Sequence, residues 1–295
     1  MNKKKPSYPG RVWIGFDLGG TKMLAKVFND DYQTLGRAKQ KTLGAKGAKH
    51  GLTRMVSLIE EALDDAGADP TQLAGIGVGC PGPINPEKGE IVEAPNLGWT
   101  RVPVEAFLSK TFSCRTVICN DVDAGVYAEY TEGAARGARC AVGIFPGTGI
   151  GAGAVINGRL LQGAKLSCME LGHIPLYPET SGSGEDGSTL ETECSRLKIA
   201  IEAGDKEIEE IVRRAATLLG CGVATVVHLL APDLIVLGGG LVEAMPELYL
   251  EAVKKSAVSR VLGPYKKSFK IVTAELEEDA GVMGAAAWAR KTIEG

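Results

Sequence analysis

Three times in this chain an apolar, β-rich run ends directly in a cluster of glycines: residues 12–17 before Gly19 and Gly20, residues 141–145 before Gly147 to Gly151, and residues 234–237 before Gly238, Gly239 and Gly240. A strand that breaks at once into residues without a Cβ is a turn, and its backbone N–H groups are open to close approach by an anion. After the first two clusters a second β-rich run returns, at 23–28 and at 152–156. Both therefore read as β-hairpins, and the second half of the chain opens as the first does, a weak internal repeat.

Between these landmarks the periodicity turns helical. Leu52, Met55, Val56, Ile59 and Leu63 share one face of a helix that Gly67 and Pro70 end, and residues 76–79 resume a strand. A short β-rich run at 116–119 leads through Asn120 and Asp121 into a helix reaching Tyr130. A long helix carries Ile208, Ile211, Val212, Ala215, Leu218 and Leu219 on one side and continues or restarts after Gly222, until Pro232 stops it. Asp279 is expected to cap a last helix. Strands alternating with helices predict an α/β protein with a mostly parallel or mixed sheet in each of two lobes. The lobes are expected at 1–119 and 120–295, with the final helix, about 280–293, packing back on the first.

A chain of 295 residues, 44% hydrophobic and 23% charged, has enough apolar material for two cores. Its net charge of −3 asks for neither nucleic acid nor an anionic membrane as partner. No apolar segment follows Lys3, Lys4 and Lys5, and no stretch reads as a membrane span, so the expected location is cytoplasmic. Seven cysteines, an odd number without a CxxC pair, fit a reducing compartment and predict no disulfides.

The first cluster is chemically the richest. In Asp17-Leu18-Gly19-Gly20-Thr21-Lys22 the bend carries a carboxylate for a hydrated Mg²⁺, a hydroxyl and a cation. The second, Gly147-Thr148-Gly149-Ile150-Gly151, adds another hydroxyl, and two such opposed bends would clamp a triphosphate. A dinucleotide-binding loop is the rival for Gly149 to Gly153, but that loop leads into a helix, whereas residues 152–156 return as a strand. The GK[ST] ending of a P-loop is absent. One glycine turn alone is as often a plain hairpin connection; three together, with Asp17 and Thr148, favour a triphosphate site with Mg²⁺.

Taken in order, these residues resemble the ROK family of sugar kinases, of the actin, hexokinase and Hsp70 superfold (ribonuclease H-like). Residues 17–22 look like its first phosphate loop, 147–153 like its second and 236–241 like its adenosine loop. The stretch from Gly147 through Asn157-Gly158-Arg159 and Gly163 to Glu170-Leu171-Gly172-His173 resembles the family signature. The resemblance implies transfer of the γ-phosphate of ATP to a hexose hydroxyl, the 6-OH, with glucose the leading acceptor. An N-acetylhexosamine, fructose or another hexose is the alternative. It also implies a homodimer. By the same resemblance Asn120 and Asp121 stand where the family keeps a sugar-binding Asn and the catalytic base, and Asn96, Glu170, His173 and Glu191 complete the sugar ligands, with the backbone near Pro81 and Gly82. An Asp at a strand end opening a helix is favoured as a carboxylate by the helix dipole, and an ionised Asp can take the proton of an attacking hydroxyl. The plainer reading is that Asp121 or Asp123 caps the helix; Asp123 is expected to do so and to leave Asp121 for chemistry.

The chain departs from the family in one place. Where most members carry a zinc segment of the form CxCGxxGCLE, residues 181–191 read Ser-Gly-Ser-Gly-Glu-Asp-Gly-Ser-Thr-Leu-Glu, without cysteine. Cys168, His173 and Cys194 supply at most three ligands in the wrong spacing, so no zinc site is expected and the loop is expected to be mobile without sugar. Met169 also replaces the small residue usual before the Glu. Two rivals from other classes stand beside the kinase. One is a sugar-responsive repressor, disfavoured because sixteen residues before Asp17 cannot hold a helix-turn-helix domain; the other is a sugar sensor that has lost activity.

Overall fold

A computed structural model of the chain describes residues 8–147, 149–176, 189–194, 208–276 and 279–295. The chain forms two compact units, Met1–Thr131 with Gln162–Cys168 and Glu278–Gly295, and Glu132–Leu161 with Met169–Glu277. The division expected before Asn120 falls twelve residues later by this measure, because the helix that Asp121 opens packs within the first unit.

In the first unit the order is β1 (Val12–Leu18), β2 (Lys22–Phe28), β3 (Thr34–Lys41), α1 (Ala48–Ala66), β4 (Leu73–Cys80), β5 (Ile84–Asn85), β6 (Glu90–Ala94), β7 (Trp99–Val102), α2 (Val104–Phe112), β8 (Thr116–Asn120) and α3 (Asp121–Thr131). The five long strands make one sheet, ordered β3-β2-β1-β4-β8, and β5-β6-β7 make a second, smaller one. Strand β1 is a nearly continuous apolar run because it is central and covered on both faces. β3, at the edge, alternates buried and exposed residues and carries Arg37, Lys39 and Lys41, charges that discourage further pairing. α1 ends where Gly67 takes φ 66°, a left-handed conformation that glycine adopts without steric cost.

The last helix, labelled α7 (Ala280–Glu294), belongs to this unit and is pressed onto the sheet through glycines. A Cβ on Gly15 would overlap the Val282 carbonyl, one on Gly77 the Ala285 carbonyl, and one on Gly284 the carbonyl of Ala124 in α3. Asp279 holds the N-cap position of α7, but its side chain makes no capping hydrogen bond. Contrary to the expected cap, its carboxylate pairs at 2.6 Å with the buried ammonium of Lys26, the stronger demand on a nearby anion.

The second unit repeats the plan. It runs through β9 (Cys140–Pro146), β10 (Ile150–Ile156), β11 (Arg159–Leu160), helical residues 190–194, α4 (Ile208–Leu230), β12 (Leu234–Leu237), α5 (Gly240–Ala244), α6 (Pro246–Arg260) and β13 (Lys270–Thr273). Its sheet is ordered β11-β10-β9-β12-β13. As in the first unit, the hairpin and its outer strand pair antiparallel, while the inner strand pairs parallel to the next strand and that strand parallel to the one after it. The internal repeat read from the glycine bends is thus a repeat of sheet topology. α4 is one uninterrupted helix through Gly220 and Gly222, and there Ser256 of α6 and Leu190 fill the space that side chains would take. Its segment Val212–Leu230 reaches the length and mean hydropathy of a short membrane span, 1.2, which the sequence reading did not register because Arg213, Arg214, Thr217 and Thr225 interrupt it. Within the unit that segment lies against α6, with Val212, Leu219, Val223 and Val227 in the core.

Candidate active site

In the first unit the polar residues gather where β1, β4 and β8 end. Register places Asp17 beside Gly79 of β4, and Gly79 beside Cys119 of β8, so Asp17 and Asp121 are separated by one strand whose residue at that level has no side chain. A Cβ on Gly79 would come within 3.5 Å of the Asp121 Cα. The N-terminal turn of α7 adds Gly281, whose Cβ position lies 3.7 Å from the Asp17 carboxyl carbon. Crowding pushes the Asp17 carboxyl up to about 6, first through desolvation and then through the negative charge of Asp121, with Lys22 opposing. The Cys80 thiol, buried beside both, is held as a neutral thiol.

The start of α3 is capped by Asn120, not by Asp123. Asn120 Oδ1 accepts the N–H of Val122 at 2.9 Å and that of Asp123 at 3.4 Å, while Asp123 is itself buried in the first turn. A cap must precede the amides it serves, and Asn120 does. Asp121 Oδ1 also accepts the Val122 N–H at 2.9 Å. The Asn120 amide nitrogen stands 3.2 Å from the Cβ position of Gly82, and Ser167 Oγ stands 3.4 Å from the same point. The sequence reading did not single out Ser167, and nothing local in the sequence marks it. Asn96 is exposed, and its Cβ lies 3.5 Å from the Cβ position of Gly20, beside the first bend. Thr21 and Lys22 are exposed on that bend.

The nine glycine and threonine positions expected in the two phosphate loops and the adenosine loop sort into different jobs. Gly20, Gly147 and Gly240 face open space, with at most one atom near a Cβ. Gly19 is required by its own turn, against the Lys22 carbonyl; Gly238 abuts Phe145; Gly239 has φ 89° and lies against the Pro146 carbonyl. Thr148 lies outside the described residues.

Gly149 has another role. In the second unit Glu191 Oε2 accepts the Ile150 N–H at 2.8 Å and occupies the space beside Gly149 and Gly172, 2.5 and 2.9 Å from their Cβ positions. The helical residues 190–194 that carry Glu191 start at Thr189, whose hydroxyl accepts the Thr192 N–H while the Thr192 hydroxyl accepts the Thr189 N–H, a reciprocal cap. Glu191 thus ties the second bend to the stretch Glu170–His173. There Glu170 and His173 are both exposed, and the Glu170 carbonyl accepts the His173 N–H at 3.0 Å. Met169, immediately before, holds φ 62°, a left-handed conformation that a side chain disfavours.

Among the described residues no group of three or more His, Cys, Asp or Glu is arranged to hold a metal ion. Residues 181–188 of the replaced zinc segment lie outside the described residues. Cys194 is buried and donates to the Ala215 carbonyl at 3.8 Å, and burial pushes its thiol up to about 12. Asp17 and Asp121 offer the one or two hard carboxylates with which Mg²⁺ is usually held alongside phosphates, and a cation would offset the burial and the Asp121 charge that raise Asp17.

The sequence pattern of the ROK family matches residues 13–200 and 185–292. A glucokinase of Thermotoga maritima is 28% identical over 96% of this chain and 98% of its own length. Among solved structures, a ROK hexokinase from Thermus thermophilus superposes with a TM-score of 0.83 at 29% identity, covering 96% of this chain and 99% of that one. A ROK family glucokinase from Streptomyces griseus, solved with glucose and AMPPNP, gives 0.77 at 25% identity, with 95% and 99% covered.

Proposed function

The chain belongs to the ROK family, and on that premise we propose that it is an ATP-dependent sugar kinase that moves the γ-phosphate to the 6-hydroxyl of a hexose, with glucose as the leading acceptor. Its similarity to a glucokinase along nearly its whole length, and to a glucokinase that binds glucose and an ATP analogue, supports this reading. The observation that carries it is the pair Asp17 and Asp121, brought together across the side-chain-free Gly79 at one end of the sheet, where burial first and then the charge of Asp121 raise the Asp17 carboxyl.

The two acids suit different tasks. Asp121, at the first turn of α3, is poised as a carboxylate to accept the proton of the attacking hydroxyl as the bond to phosphorus forms. Asp17 would hold Mg²⁺, which when bound neutralises charge on the phosphate oxygens. Gly20, Gly147 and Gly240, with no side chain in the way, admit phosphate or nucleotide to the backbone. Asn120, Asn96, Glu170, His173 and Glu191 are assigned to the sugar hydroxyls. Recognition by hydrogen-bonding groups of this kind rejects a sugar lacking one hydroxyl more strongly than one with added bulk. The protein is assigned to the cytoplasm and to a homodimer on family grounds.

A coupled ADP-release assay over glucose, mannose, fructose and N-acetylhexosamines tests the class of acceptor. Asp121→Asn is expected to lower kcat by about 10²–10⁴ while sugar affinity stays nearly constant. Full turnover in that variant would refute the assignment of the base.

A further inference from the structure

The first glycine bend, residues 19–21, is braced from behind by Thr42, which follows β3 directly and is fully buried, 0% exposed. The Thr42 hydroxyl donates to the Gly19 carbonyl at 2.6 Å, and its backbone N–H donates to the Thr21 carbonyl at 2.9 Å. Strand register explains the meeting: Lys22 of β2 lies opposite Lys41 of β3, so one step further Thr42 faces the bend itself. Lys41 is in turn fixed to α1, its carbonyl accepting two N–H groups of Arg54 at 3.1 and 2.6 Å.

These bonds set the direction of a donor. A peptide unit is planar and trans, so its C=O and N–H point to opposite sides. The Gly19 carbonyl shares its peptide with the Gly20 N–H, and with the carbonyl turned inward onto Thr42 the N–H is turned outward. Gly20 is exposed, the Asn96 Cβ at 3.5 Å is the one atom near its Cβ position, and among the described residues no group accepts its N–H.

The hydroxyl does more than the sheet requires. The Thr42 N–H alone continues the ladder of β2 and β3 by one step; only the side chain reaches the Gly19–Gly20 peptide. With glycine on both sides, that peptide meets little steric resistance to turning over. Turning it would strip a fully buried hydroxyl of its acceptor, so the observed orientation is held.

We infer that Thr42 is a positioning residue for nucleotide binding: its hydroxyl presets the Gly19–Gly20 peptide so that the Gly20 N–H is already aimed at a phosphate oxygen, a role that rests on the reading of this bend as a phosphate loop. A donor fixed in advance needs no ordering when the anion arrives, whereas a bend free to turn over loses affinity to that ordering.

The test compares the full chain as wild type, Thr42→Val, which keeps the shape without the hydroxyl, and Thr42→Ser, which keeps the hydroxyl. Calorimetry with AMPPNP and Mg²⁺, and kinetics over ATP and over the hexose that turns over fastest, are read for each. Thr42→Val is expected to bind AMPPNP about tenfold more weakly, the order of one hydrogen bond, and to raise the KM for ATP alike, while the KM for the hexose stays within about twofold. Thr42→Ser is expected to stay within about twofold of wild type for both ligands. In wild type labelled with ¹⁵N-glycine, AMPPNP with Mg²⁺ is expected to move the Gly20 amide proton downfield, a readout that does not depend on either variant folding. Wild-type AMPPNP affinity in Thr42→Val, an equal loss for nucleotide and hexose, no rescue by Thr42→Ser, or an unmoved Gly20 resonance overturns the inference. A protein that phosphorylates no hexose yet binds AMPPNP in this Thr42-dependent way would sink the kinase reading and leave this one standing; turnover with unchanged nucleotide affinity in Thr42→Val does the reverse.

Discussion

Replacing Asp17 by Asn should make the protein more stable at neutral pH and inactive. In the folded chain the carboxyl titrates at about 6, against 3.8 for the ordinary group. The folded state therefore holds the proton more tightly than the unfolded chain does. Below pH ~4 both states are protonated and the site costs nothing; as pH rises through the window from about 4 to 6 the unfolded chain releases its proton first, and stability falls. At about 1.4 kcal/mol per pH unit, the full cost above the window is about 3 kcal/mol. Near pH 5 roughly half of it is felt. Asn has nearly the same shape and no charge, so Asp17→Asn is expected to gain about 3 kcal/mol at pH 7.5 and about half that at pH 5. Urea unfolding of the metal-free and nucleotide-free protein, followed at both pH values, measures the gain. An equal gain at pH 5 and 7.5, or none at either, would refute the argument that crowded carboxylates at this end of the sheet are charged at a cost. Loss of turnover together with the gain would mark the strain as functional.

Glu191→Ala leaves the Ile150 N–H without its acceptor and is expected to lower the stability of the second unit by about 1–3 kcal/mol in a thermal melt, whereas Glu191→Gln, which keeps an acceptor oxygen, should melt close to wild type. Gly77→Ala drives a methyl into the Ala285 carbonyl and should cost about 3 kcal/mol or more, seen as a large drop in Tm or as loss of soluble protein; a wild-type Tm would mean that α7 is not pressed on the sheet. Asp279→Ala strips the buried Lys26 ammonium of its partner and should cost about 1–3 kcal/mol by urea unfolding, while an exposed control such as Glu247→Ala should cost nothing measurable.

Much of this architecture was legible from neighbours in the chain. The run before Gly19 and Gly20 can only be a buried strand entering a turn, and β1 and β2 pair as that reading requires. Gly67 ends α1 in the left-handed conformation that its place in the pattern implied. The likeness of residues 141–156 to residues 12–28 surfaces as two sheets with one strand order. One misreading comes from a partner far away in sequence and one from cap geometry within a single turn. Asp279 looked like a cap because Asp at a helix start often is one, but Lys26, more than 250 residues earlier, claims it. Asp123 looked like the cap of α3, yet Asn120 had the geometry.

Strand, turn and helix, the repeat, and the residue types able to do phosphoryl chemistry follow from the sequence itself, because apolar periodicity and the freedom of glycine act over a few residues. What each glycine is for does not. Gly149 makes room for Glu191, Gly77 for α7 and Gly79 for the approach of Asp121 to Asp17, while Gly20, Gly147 and Gly240 stay open. Only the folded chain decides this, since excluded volume, desolvation and the repulsion of two carboxylates depend on distances between residues that the sequence keeps far apart.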